Sequence, residues 1–127
     1  MMTTGLWCVL AGLLMPFLWT GVAKSMGRYT IRANHDPREF LARLRGPAAR
    51  ANAAQLNSFE AFPGFAAAVL VAQVAHAAQH SIDALAITWV ILRLLYGVLY
   101  ISDLARSRSV VWFAALACVV GLFVSAA

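Results

Sequence analysis

The sequence predicts an all-α membrane protein, a bundle of four transmembrane helices, and three observations carry that prediction. Of its 127 residues 62% are hydrophobic and only 12% charged, with a mean hydropathy of +0.76, against roughly 45 to 50% apolar residues in an ordinary soluble domain. The apolar residues gather in long runs. Since about 20 helical residues cross the roughly 30 Å of hydrocarbon, the length accommodates four spans with short connections as a single domain over residues 1–127. Nine of the ten Lys and Arg residues lie in or beside two connecting segments, the tenth being Arg93. The positive-inside rule puts those segments in the cytoplasm and both termini outside. The net charge of +5 therefore reads as membrane orientation, and no nucleic-acid partner is expected.

The first helix is expected over about residues 5–23, GLWCVLAGLLMPFLWTGVA. Trp7 and Trp19 stand near its ends, where amphipathic rings favour the interface, and Pro16 is placed to bend it. No Lys or Arg precedes this run, and it is longer than the apolar core of a signal peptide, so it reads as a retained span.

From Lys24 to Pro47 the chain turns polar, with Lys24, Arg28, Arg32, Arg38, Arg43 and Arg45 against Asp36 and Glu39. Asp36-Pro37 offers a helix start. Phe40, Leu41 and Leu44 then recur at helical spacing, which predicts a short amphipathic helix at the membrane surface.

The second long helix is expected over about residues 48–76, polar in its first half and reading FAAAVLVAQVA in its second. Its early part should reach into the headgroup region, and Pro63-Gly64 should loosen it just after Glu60. The third and fourth helices, about 84–102 and 109–126, flank the basic turn DLARSR. Cys8 and Cys118 lie inside apolar runs, where a thiol acts as a small hydrophobe, so neither a disulfide nor a metal is inferred from them.

Against this apolar background a few polar residues stand out. Arg93 falls near the middle of the third span, where an uncompensated arginine costs about 2.5 to 3.5 kcal/mol on insertion scales and normally faces the bundle with a partner. Tyr96 and Tyr100 follow at i+3 and i+7, on the same face. On the second helix Arg50, Asn57 and Glu60 share a face, and Glu60 is the expected partner of Arg93. Such stripes could be a brace between helices. They could equally line a site for a small zwitterion, which needs donors for its carboxylates and a carboxylate for its amine. Arg106 and Arg108 add positive charge at the mouth of the same half, a position also natural for topogenic charge.

The stretch RANAAQLNSFEAFPGF, Arg50 to Phe65, resembles the second-helix signature of the MAPEG superfamily, the membrane-associated proteins in eicosanoid and glutathione metabolism. Its core, Asn-x-x-Glu followed closely by Pro, is here Asn57, Glu60 and Pro63. RLLYGVLY supplies Arg93, Tyr96 and Tyr100 in the family's Arg-x-x-Tyr-x-x-x-Tyr arrangement. The order of helices and the long basic first loop match too, so the resemblance covers essentially the whole chain, and the short bacterial branch is nearest. It implies a homotrimer in the bacterial inner (cell) membrane. Glutathione would be the co-substrate, bound between subunits on the cytoplasmic side, with a lipophilic small molecule as the second substrate.

On this resemblance the glutathione-binding set is Arg50, Asn57, Glu60, Arg93, Tyr96, Tyr100, Arg106 and Ser109. In the enzymes an arginine at the start of the fourth helix stabilises the glutathione thiolate. Arg108, followed by Ser109, is the closest counterpart, with Arg106 as the alternative because the turn length differs. The sequence departs from the enzymes at Ala49 and Ala53, where they carry Glu and Arg, which weakens the grip expected on a ligand carboxylate.

The chemistry implied is thiolate attack on an electrophilic lipophile or a lipid hydroperoxide. A free thiol, with its pKa near 8.5, is mostly protonated at neutral pH. A guanidinium that lowers this value by one to two units supplies about 1.4 to 2.7 kcal/mol. Arg108 is expected in that role, with Tyr100 donating a hydrogen bond to the sulfur. The competing function is a non-catalytic membrane trimer that holds a lipid or partner protein. An ion pathway is disfavoured because one charged pair confined to half the bilayer makes a poor relay. No metal is expected: His76, His80 and Asp83 share only a loose spacing, at the end away from the polar stripes.

Overall fold

A computed structural model describes residues 1–127 as helices and short connections. α1 covers Thr4–Met26, α2 Pro37–Ala42, α3 Gly46–Val74, α4 Gln79–Ile101 and α5 Ala105–Ser125, with a 3₁₀ turn at Arg32–His35. α1, α4 and α5 are long and apolar enough to cross a membrane. α3 is the longest at 29 residues but carries the polar half-turns around Arg50, Asn57 and Glu60.

Local chemistry explains most boundaries. Thr3 caps α1 by accepting from the Leu6 amide at 3.3 Å, and Asp83 Oδ1 accepts from the Gly5 amide at 2.7 Å. α1 runs through Pro16, and α3 through Pro63, without a break in helical assignment. Asp36 caps α2, its carboxylate accepting from the Glu39 amide at 3.0 Å, with Pro37 at the first helical position. α4 begins at Gln79, so His80 and Asp83 sit in its first turns and only residues 75–78 connect it to α3. α5 begins at Ala105 and not after the basic residues: the Arg108 amide already donates to the Leu104 carbonyl at 2.9 Å. The turn between α4 and α5 therefore shrinks to Ser102, Asp103 and Leu104, and Arg106 and Arg108 are helical.

α1 packs on α3 and α4, and α5 lies against α4 and α3 on the other side. The main core joins Phe65, Val69 and Ala72 of α3, Ile82 and Trp89 of α4, Cys118 and Leu122 of α5, and Cys8 of α1. Phe65 and Trp89 stack face to face, ring centres 3.7 Å apart. Only 24 of 127 residues are buried, so most of the apolar surface of these helices points outward, as lipid-facing helices require.

A smaller cluster, Met15, Trp19 and Ala54, lies towards the other end of α1. Here the structure corrects the expected role of Trp19. It is buried on Gly97, whose missing Cβ leaves the space that the indole fills, so it packs helices and does not anchor an interface. Gly97→Ala is expected to destabilise the bundle by about 1 to 3 kcal/mol through overpacking, measured by unfolding in mixed detergent micelles. Trp19→Leu in the same chain should restore much of the loss. A Gly97→Ala protein as stable as the parent would show that the indole moves aside freely.

Candidate functional site

The face of α4 that carries Trp89, Arg93, Tyr96 and Tyr100 turns inward against α3 and α5. Arg93 is 1% exposed although it is the one cation within that span. It lies eight residues from the end of α4, about 12 Å along the axis. The earlier start of α4 moves it off centre, towards the end that holds Arg106 and Arg108.

Its partner differs from the one expected. Arg93 Nη2 donates to Asn57 Oδ1 at 2.8 Å, and Asn57 Nδ2 in turn donates to Glu60 Oε2 at 3.3 Å. Asn57 thus stands between the two charges, because an amide can accept from a guanidinium and donate to a carboxylate at once. Glu60 makes no ion pair with Arg93 and remains exposed. The guanidinium also lies over the Tyr96 ring, 4.3 Å from its centre, while its buried Nε–H has no acceptor.

These groups form one end of a cavity of about 250 Å³ between α3, α4 and α5. Asn57, Glu60 and Arg93 supply the polar wall, and Trp89, Trp112, Leu116 and Val119 the apolar one. A neighbouring cavity of about 140 Å³ is lined by Tyr96, Arg108, Ser109, Trp112 and Phe113. Trp112 is a wall of both.

Arg108 lies over the Tyr100 ring, 4.1 Å from its centre, and Tyr100 meets Tyr96 edge to face at 5.7 Å. A chain of cation and ring contacts therefore runs Arg93, Tyr96, Tyr100, Arg108. Ser109 lines the same small cavity, its hydroxyl donating to the Ala105 carbonyl at 3.1 Å. Two expected residues stay outside this group. Arg106, two residues from Arg108 and so on another side of α5, is exposed. Arg50 Nε donates to the Ile101 carbonyl at 2.9 Å, which satisfies an end carbonyl of α4 and ties it to α3.

A family model for the MAPEG family matches residues 4–127. The chain belongs to the MAPEG family. Comparison with curated proteins and with solved structures returns no match. The MAPEG family contains glutathione transferases and peroxidases alongside non-catalytic members, and its members generally use glutathione. In this MAPEG chain Asn57 and Glu60 of α3 and Arg93 of α4 line one cavity, and Tyr96, beneath the Arg93 guanidinium, lines the neighbouring one. Trp89 and Trp112 were not among the expected site residues. Their spacing carried a signal: Trp89 stands four before Arg93, and Trp112 four after Arg108, each on the same helical face as its arginine.

Proposed function

We propose that this MAPEG protein is a membrane-bound glutathione-dependent transferase or peroxidase, assembled as a homotrimer and acting on lipophilic electrophiles or lipid hydroperoxides. The supporting observation is the polar end of the α3–α4–α5 cavity, where buried Arg93, half-buried Asn57 and exposed Glu60 offer two donors and a carboxylate beside an apolar wall. That pattern suits a zwitterionic tripeptide at one end and a hydrocarbon group at the other. In this reading Glu60 takes the ligand amine and the unpaired Arg93 Nε–H faces a carboxylate. Arg50, Tyr96, Arg106 and Ser109 complete the binding surface. Arg108, with Tyr100 donating to the sulfur, holds the ligand as thiolate. The thiol proton passes to water, and the sulfur bonds to an electrophilic carbon as a leaving group departs. With a hydroperoxide it bonds to the distal oxygen as the O–O bond breaks and the alcohol leaves, and a second glutathione converts the resulting sulfenic acid to disulfide and water.

Four spans belong to the same reading. Its support is that α1 ends and α4 begins at opposite ends of the bundle, with α3 joining them and packed on both. We place both termini outside and the two basic connections in the cytoplasm, in the inner membrane of a bacterium.

A non-catalytic trimer that holds a lipid or partner protein is the second reading. Ala49 and Ala53 favour it, as does the engagement of Arg50 with Ile101. Thermal-shift titration of the detergent-purified protein with glutathione separates the two. The expected result is saturable stabilisation that is lost in Glu60→Ala, a safe substitution for folding because Glu60 is exposed. No stabilisation up to millimolar glutathione favours the second reading.

A further inference from the structure

The connection between α1 and α3 encloses a second polar cavity, of about 580 Å³, on the same end of the bundle but apart from the site above. Its size falls within the roughly 300 to 1,000 Å³ of ligand clefts. Gly27, which caps α1, forms one edge, and Thr30, Arg32, His35, Asp36, Glu39 and Arg43 line it along with Phe40. The fold of this loop is built. Phe40 and Leu44 reach back to Gly27, Tyr29 meets Phe40 edge to face at 4.9 Å, and the Tyr29 hydroxyl donates to Asn34 Oδ1 at 2.8 Å.

The charges within it are unevenly satisfied. Of the two acidic residues, Asp36 is committed to the α2 cap and Glu39 to an ion pair with Arg43. Arg45 donates to the carbonyls of Arg43 and Leu44, and Lys24 sits over the Tyr29 ring. Arg32 has no ion-pair partner, and it faces the cavity. Just before it, Ile31 is 91% exposed, and Met26 at the end of α1 is exposed as well. Since α1 is long and apolar enough to cross a membrane, the cavity opens at the level of the lipid headgroups, one residue beyond its last turn. An apolar tip beside unpaired cations at that depth is the arrangement that inserts into an anionic leaflet.

We propose that this loop is a binding site for the headgroup of an anionic phospholipid, with Arg32 as its principal phosphate contact, His35 and Thr30 as further donors, and Ile31 inserted among the acyl chains. Basic residues next to a membrane helix attract anionic lipid in general. The cavity distinguishes this site, because it gives one arginine a role that others of equal charge lack.

The test uses the full chain, purified in detergent, stripped of lipid and titrated with phosphatidylglycerol or with phosphatidylcholine of the same acyl chains, bound lipid being counted by native mass spectrometry. Phosphatidylglycerol is expected to bind more tightly. Arg32→Gln should weaken it by about tenfold, the scale of one charge-assisted hydrogen bond, and leave phosphatidylcholine unchanged, while Arg32→Lys retains most of the affinity. Arg38→Gln removes the same charge from an exposed position outside the cavity and should change binding by less than about twofold. Equal losses in Arg32→Gln and Arg38→Gln would overturn the proposal in favour of diffuse attraction. So would an absence of preference between the two lipids. Glycerol 3-phosphate binding as tightly as phosphatidylglycerol would make the site one for a free phosphate ester instead.

Discussion

Arg108→Ala is expected to lower the rate of glutathione conjugation by about 10- to 100-fold at neutral pH, the effect of returning the thiol one to two units towards its free pKa. Glutathione itself should still bind, because Asn57, Glu60 and Arg93 contact other parts of the proposed ligand. The loss should shrink as the pH rises, since above the free thiol pKa near 8.5 the thiolate forms without help. Stopped-flow absorbance of the bound thiolate, with conjugation rates over the same pH range, reads both quantities. A conjugation rate unchanged in Arg108→Ala would remove Arg108 from this role. The same measurement on Arg106→Ala serves as comparison: Arg106 is exposed, whereas Arg108 is held on the Tyr100 ring.

The second large effect concerns stability and should be asymmetric. Asn57→Leu deletes the acceptor of Arg93 Nη2 and leaves a 1% exposed guanidinium without an oxygen partner. Stranding a buried charged donor costs about 3 kcal/mol. Arg93→Leu removes the cation instead, and the half-buried Asn57 keeps its contact with Glu60, so its cost should be clearly smaller. The double variant Asn57→Leu/Arg93→Leu is expected to recover most of the loss, as replacing both partners by apolar groups is often close to neutral. Unfolding in mixed micelles gives the three values as a double-mutant cycle. If Asn57→Leu cost no more than Arg93→Leu, water would have to reach the guanidinium, and the cavity would be wet at this end.

Much of this architecture was readable from residue order alone. The apolar runs mark the bodies of α1, α4 and α5, and helical spacing puts Arg93, Tyr96 and Tyr100 on one face and Asn57 with Glu60 on another. Helix starts were harder to read, because Gln79 and Arg106 are polar and hydropathy assigns such residues to loops, whereas backbone bonding carries both helices back to include them. Spacing also fixes the face of a side chain but not its reach. Opposite charge suggested Glu60 for Arg93, yet the amide of Asn57 lies nearer and bridges the two. Arg50 shares their stripe, but the C-terminal carbonyls of α4 come within its range first. Trp19 looked like an interfacial ring, and only the neighbouring helix reveals the gap at Gly97 that it fills.

The seating of Trp19 on Gly97 also bears on how the bundle moves. Helices that travel lengthwise past one another do so in jumps of about one turn, 5.4 Å. For α1 to jump along α4, its indole would have to leave the glycine and the carboxylate of Asp83 would have to release the Gly5 amide at the far end. α1 is thereby keyed to α4 at two widely separated points.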